Sequence, residues 1–247
     1  MMDSIHLCIA DIHFAVSGIN AVLKNSDPNY LSFYSDSRDG HERIDVSIYP
    51  ELPDSWNGVK IKKIFDSESS WAMYRDGSDY FITVGPEDSP FRLAGFNLLS
   101  REARIYCNEA SDGKNEIIDP FCYPLDRLLM MYFLSKGEGA MLHAAGIIIG
   151  EKGYIFPGSS GAGKSTLSRQ FSSGGNTEVL TDERVIVRKI CGTYKVFGTP
   201  WPGEAGVAIN KSAPLAGIFF INHGPENMAH EIIAGKALQR LLPLTTI

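Results

Sequence analysis

Tyr154-Ile-Phe-Pro-Gly158-Ser-Ser-Gly-Ala-Gly163-Lys164-Ser165-Thr-Leu167 is the stretch on which the fold turns. Its centre satisfies G-x-x-x-x-G-K-[ST]; Tyr154 to Pro157 before it reads as a strand, and Lys164 to Phe171 after it, apolar at Leu167 and Phe171, as a helix. In that context the string predicts a phosphate-binding loop. Glycines let the backbone close around a phosphate, while N–H groups and the helix dipole supply the positive potential. The expected nucleotide-binding residues are Gly158, Ser159, Ser160, Gly161, Ala162, Gly163, Lys164, Ser165 and Thr166. Lys164 is expected to reach the β and γ phosphates of ATP, and the Ser165 hydroxyl to ligate Mg²⁺.

Mg²⁺ on a nucleotide wants a protein carboxylate, and a phosphoryl acceptor needs a group to take its proton. Asp182-Glu183 offers both at the end of the strand Glu178 to Thr181, 18 residues beyond Lys164, which is room for one helix, one turn and one returning strand. This compact spacing excludes an ABC-type ATPase, whose acidic pair lies much further along. The GTPase patterns D-x-x-G and N-K-x-D fail at Asp182-Glu-Arg-Val185 and Asn210-Lys-Ser-Ala213. Adenylylsulfate-type kinases continue into a helix at this point, whereas Val185 to Ile190 and Tyr194 to Phe197 read as a hairpin around Cys191-Gly-Thr193.

Upstream, Leu125, Leu128, Leu129, Tyr132 and Phe133 recur at helical spacing behind Pro124, with Lys136-Gly137 as a stop; Met141 to Ile149 is then a strand. Downstream, Ile218 to Ile221 reads as a strand and Lys236 to Leu242 as a last helix stopped by Pro243. The front of the chain reads as short β segments: Ile44 to Tyr49 alternates, Trp71 to Tyr74 and Tyr80 to Val84 flank a turn at Gly77, and Phe91 to Leu99 and Ala103 to Cys107 follow before a polar loop at Asn108 to Asn115. Its histidines, His6, His13 and His41, have no partners at metal-ligand spacing. The expected division is a β-rich region over 1–122 and an α/β phosphate-loop domain over 123–247.

Lys and Arg number 23 against 29 Asp and Glu, a net charge of −6, which argues against a nucleic-acid partner. Any phosphate must be held by local geometry. The four cysteines are scattered and read as reduced thiols. The apolar run Gly139 to Gly150 is too short for a bilayer span of about 20 residues, and Met1-Met2-Asp3-Ser4 lacks a basic leader. The expectation is a soluble cytoplasmic protein with no membrane partner, compatible with a homo-oligomer.

From Leu142 to Leu242 the chain resembles the HPr serine kinase/phosphorylase family, whose catalytic domain is similar in fold to phosphoenolpyruvate carboxykinase. The likeness rests on order: Leu142-His143 on a strand, a second strand, the loop Gly158 to Ser165, and Asp182-Glu183 before a hairpin. The resemblance implies a conserved-type histidine at His143, phosphate-binding groups at Lys164 and Ser165, and Mg²⁺ and general-base carboxylates at Asp182 and Glu183. The family has two adjacent aspartates; with Glu183 in second place, either acid is open to either role. Gly198-Thr-Pro-Trp-Pro-Gly-Glu204 resembles the G-T-P-W-x-G-E stretch of HPr-kinase-like proteins outside the sugar-transport system, some of which phosphorylate serine on peptide precursors. By that likeness Glu204 touches metal or acceptor; as a bare sequence it is equally a turn with an exposed acid.

The chain departs from the family in three ways. It lacks the Arg- and Gly-bearing segment tied to phosphorolysis. The family continues well past the last helix, so either an acceptor-docking and oligomer-forming tail is missing or the sequence is a fragment. No family regulatory domain matches the first ~120 residues. The resulting expectation is a Mg²⁺- and ATP-dependent kinase acting on serine of a protein or peptide, with Asp182, Glu183, His143 and Lys164 catalytic and Ser165, Asp182 and Glu183 at the metal. The alternatives are a non-catalytic nucleotide-binding regulatory module, a small-molecule kinase, and carboxykinase chemistry, for which Lys211 and His223 are the nearest metal-binding candidates.

Overall fold

A computed structural model describes residues 4–36, 42–54, 56, 61–68, 70–108, 116–136, 139–222, 224, 226 and 228–246. His41, His223, Gly137 and most of the 108–115 loop lie outside the described residues. Two compact units divide the chain: Met1–Pro28 with Tyr34–Phe133, and Asn29–Phe33 with Leu134–Ile247.

The first unit is built on β1 (Ser4–Ile9), β2 (Ile12–Gly18), β3 (Val22–Lys24), β4 (Arg43–Tyr49), β5 (Lys62–Asp66), β6 (Trp71–Asp76), β7 (Asp79–Val84), β8 (Arg92–Asn97), β9 (Glu102–Cys107) and β10 (Glu116–Ile118). Eight of these form one mixed sheet in the order β1-β2-β4-β9-β8-β7-β6-β5, and β3 pairs with β10. Strict alternation buries Ile44, Val46 and Ile48 of β4 and Ala103 and Ile105 of β9 on one face. The β6–β7 hairpin forms where the sequence predicts it, with Gly77 at φ +59°. The β1–β2 hairpin carries no such signal. Its two-residue turn is Ala10-Asp11, both at positive φ, where the sequence rule looks for Asn-Gly or Asp-Gly.

The helix α1 (Leu125–Leu134) lays Tyr132 against Tyr80 and Phe96, and Phe133 against Phe96. These ring contacts carry the first unit through Phe133, past the sequence-derived boundary at 122.

The second unit contains β11 (Gly139–Ile149), β12 (Lys152–Pro157), α2 (Lys164–Ser172), β13 (Thr177–Thr181), β14 (Arg184–Ile190), β15 (Thr193–Phe197), β16 (Ser212–Ile218), α3 (Ala234–Leu241) and β17 (Thr245–Thr246). Its sheet is strand-rich and mixed, with β12–β16 parallel and the remaining pairs antiparallel. The pairings β11–β12–β16–β15–β14–β11 close a ring around Leu142, Ala144, Ile155, Leu180, Val185 and Val196.

One expected strand is corrected: the segment that pairs is Ser212–Ile218, and Ile218 to Ile221 does not form one. Pro214 and Gly217 read as strand breakers, yet Pro214 sits opposite Lys195 and Gly217 opposite Tyr154. On α2 the fully buried residues are Lys164 and Ser168, while Leu167 and Phe171 are half-buried. No helix among the described residues is long and apolar enough to cross a membrane.

Candidate functional site

β11 is the element that gathers the site, because its two halves have different neighbours. Residues 139–143 pair with β14, residues 144–149 pair with β12, and residues 146–149 pair also with β13. At the changeover His143 faces Arg184, Ala144 faces Pro157 and Gly146 faces Thr181. The end of β12, the end of β13 and the start of β14 therefore meet beside residues 143–146. Two backbone bonds fasten the junction: Gly158 N–H donates to the His143 carbonyl (3.2 Å), and Ala144 N–H donates to the Glu183 carbonyl (3.1 Å).

The glycine loop leaves β12 and enters α2 through two left-handed residues, Gly161 (φ +79°) and Gly163 (φ +98°). Left-handed positions of this kind build backbone concavities for anions. A Cβ on Gly158 would stand 2.7 Å from the Ala162 Cβ, so the loop folds back too tightly for any larger residue. Ser159, Ser160, Gly161 and Thr166 are exposed at its mouth. Lys164 is 6% exposed and donates to the carbonyls of Gly158 (2.9 Å) and Ser159 (3.0 Å). Burial holds its pKa below the ordinary lysine value, with Glu183 and Asp182 pulling the other way.

Asp182 is fully buried. Its Oδ2 accepts from the Ser165 hydroxyl and the Ala205 N–H, and its Oδ1 accepts from the Gly203 N–H, each at 2.8 Å. Glu183 is partly exposed and differently placed. Its Oε2 lies 3.2 Å from His143 Nε2, and its Oε1 lies 3.7 Å from Arg184 Nε. The His143 bond is the main reason its carboxyl sits below the usual glutamate range.

No family model matches the chain. No curated protein aligns with it either.

Lys164, Ser165, Asp182, Glu183 and His143 thus lie together, drawn from a strand centre, a glycine loop and a strand-to-strand connection. Glu204 is not joined to them by its side chain, which is exposed; its carbonyl accepts from Arg169 Nη2 at 3.5 Å. Lys211 is paired with Glu178 at 2.7 and 2.9 Å. What sequence reading missed are backbone groups, the amides of Gly203 and Ala205, and the Arg184 side chain. The only available signal was Gly203, inside a stretch singled out for Glu204.

Among the described residues no group of three or more His, Cys, Asp or Glu could hold a metal ion. Mg²⁺ bound with a nucleotide asks for less than such a group. It takes one or two protein oxygens, completing its octahedron with phosphate oxygens and water. Ser165 Oγ and the Asp182 carboxylate, 2.8 Å apart, fit that demand.

Proposed function

We propose that this chain is a Mg²⁺- and ATP-dependent kinase that phosphorylates a serine hydroxyl on a protein or peptide. The observation that carries the reading is the pairing of a glycine-loop serine with a buried aspartate at 2.8 Å, next to a second, accessible carboxylate backed by a histidine. Such a set can bind a polyphosphate, its metal and a reacting hydroxyl in one place.

The surroundings of the two acids favour different roles for them. Asp182 has both oxygens occupied by donors and no exposure, which suits a fixed metal-holding carboxylate. Glu183 is reachable from solvent and oriented by His143, which suits the proton acceptor. Bound Mg²⁺ would supply charge neutralisation on the phosphate oxygens. Lys164, released from the Gly158 and Ser159 carbonyls, would place its ammonium against the β and γ phosphates. Glu183 then removes the proton from the serine hydroxyl as its oxygen bonds to the γ-phosphorus. The bond from that phosphorus to the β–γ bridging oxygen breaks, and ADP leaves with the electron pair.

The test is purified protein with Mg²⁺-ATP and seryl peptides. The expected result is phosphoserine whose formation falls by about 10²-fold or more in Lys164→Ala and Asp182→Asn. Nucleotide binding without turnover would replace the kinase with a nucleotide-responsive binding module. Absence of nucleotide binding would end the reading.

A further inference from the structure

Residues 181–184, which carry both acids, are laced to residues 199–205. Thr181 Oγ1 donates to the Trp201 carbonyl at 3.4 Å, and the Thr199 hydroxyl donates to the Arg184 carbonyl. Asp182 takes the Gly203 and Ala205 amides. At its far side the segment is anchored by Trp201, buried, whose indole N–H donates to the Tyr30 hydroxyl at 3.2 Å. The approach at Gly203 is so close that an added methyl must push Asp182 aside: a Cβ there would lie 2.8 Å from Asp182 Oδ2, 3.1 Å from its carboxyl carbon and 3.2 Å from Oδ1.

A buried carboxylate must be compensated by donors, and charge-assisted bonds from backbone amides do this strongly. Of the three donors on Asp182, the Ser165 hydroxyl is the one that a metal ion competes for. The two amides have no other task. We propose that the Gly203 and Ala205 amides are positioning groups that hold Asp182 in place while the Ser165 hydroxyl turns from it toward Mg²⁺, so that the 199–205 segment registers occupancy of the metal position. This deepens the kinase reading and rests on its metal assignment. Outer partners of metal-holding groups commonly change affinity by about 10–100-fold when removed.

Gly203→Ala is the discriminating variant. The Gly203 backbone is outside the left-handed region, so the added methyl strains only the contact with Asp182. ATP binding is measured by calorimetry with Mg²⁺ and again in EDTA, on samples whose melting curves show a folded protein. The expected result is an affinity for metal-free ATP within about twofold of wild type, with the gain conferred by Mg²⁺ cut by about tenfold or more.

Hydrogen exchange on the wild-type chain gives the second readout and needs no variant. The Gly203 and Ala205 amides are expected to exchange about tenfold more slowly with Mg²⁺-ATP than with ATP in EDTA. A folded Gly203→Ala protein with an undiminished Mg²⁺ gain, or exchange at these amides indifferent to Mg²⁺, overturns the proposal and leaves the phosphate loop standing. A wild-type chain that binds ATP in neither condition overturns the nucleotide reading itself.

Discussion

Lys164 is held against its own charge. Its ammonium is buried at two loop carbonyls, and burial lowers its pKa. A lysine whose folded pKa is below its unfolded value binds fewer protons folded than unfolded, so stability rises with pH between the two values; below both, the destabilisation is complete. At neutral pH, Lys164→Met is therefore expected to melt no lower than wild type without nucleotide, while calorimetry shows ATP binding lost.

Glu183 titrates with the opposite sign. Its folded pKa lies below the ordinary glutamate value, chiefly through the hydrogen bond with His143. The stabilisation is full above that value and disappears as pH falls through the lowered folded one. The melting difference between wild type and Glu183→Gln should therefore close as pH falls through the acid range. Its size should be about 1 kcal/mol or less, as expected for a partly solvated pair. A difference that persisted undiminished well below the ordinary glutamate range would contradict the pairing with His143. At this scale the loop residues and both acids could be read from the sequence, because each is a side chain with a letter. The two amide donors on Asp182 could not, because an amide N–H belongs to every residue but proline and its direction is set only by the fold.

Among the elements, β11 decides where the site lies. Leu180, two residues before Asp182, packs inside the strand ring with Leu142, Ala144 and Val185. Leu180→Ala is expected to cost about 2–5 kcal/mol in denaturant unfolding and to weaken ATP binding in the population that remains folded. Cys191→Ser, in the exposed β14–β15 turn, should change neither. The strands β12, β13, β14 and β15 were legible from β-branched and aromatic runs bounded by glycine turns. β16 was not, since its pairing tolerates a proline and a glycine that local rules treat as breaks. Nor was the exchange of partners halfway along β11, because an apolar run of that length says that both faces are covered without saying by what.

Across the whole molecule the net charge is −6, so on the proposed function affinity for ATP should depend on the loop far more than on bulk ionic attraction. The second unit also draws on residues a hundred positions upstream of its main segment. Asn29–Phe33 joins it, and Tyr30 supplies the acceptor for the buried Trp201 indole. Tyr30→Phe removes that acceptor from the buried indole and should cost about 1–3 kcal/mol, measured as a shift of the unfolding midpoint reported by Trp201 fluorescence in a Trp56→Phe, Trp71→Phe background. An unchanged midpoint would show that the indole finds another acceptor. This early segment therefore belongs with the second unit although the rest of that unit begins at Leu134.

The scattering of the site along the chain has a consequence for biosynthesis. A ribosome delivers Tyr30 first, His143 and the glycine loop much later, and the amides that satisfy Asp182 only with Gly203 and Ala205. A nascent chain halted before that point would carry the whole sequence motif with Asp182 short of two of its three donors, so on the proposed function capture of the nucleotide should begin abruptly, late in translation, rather than grow with length.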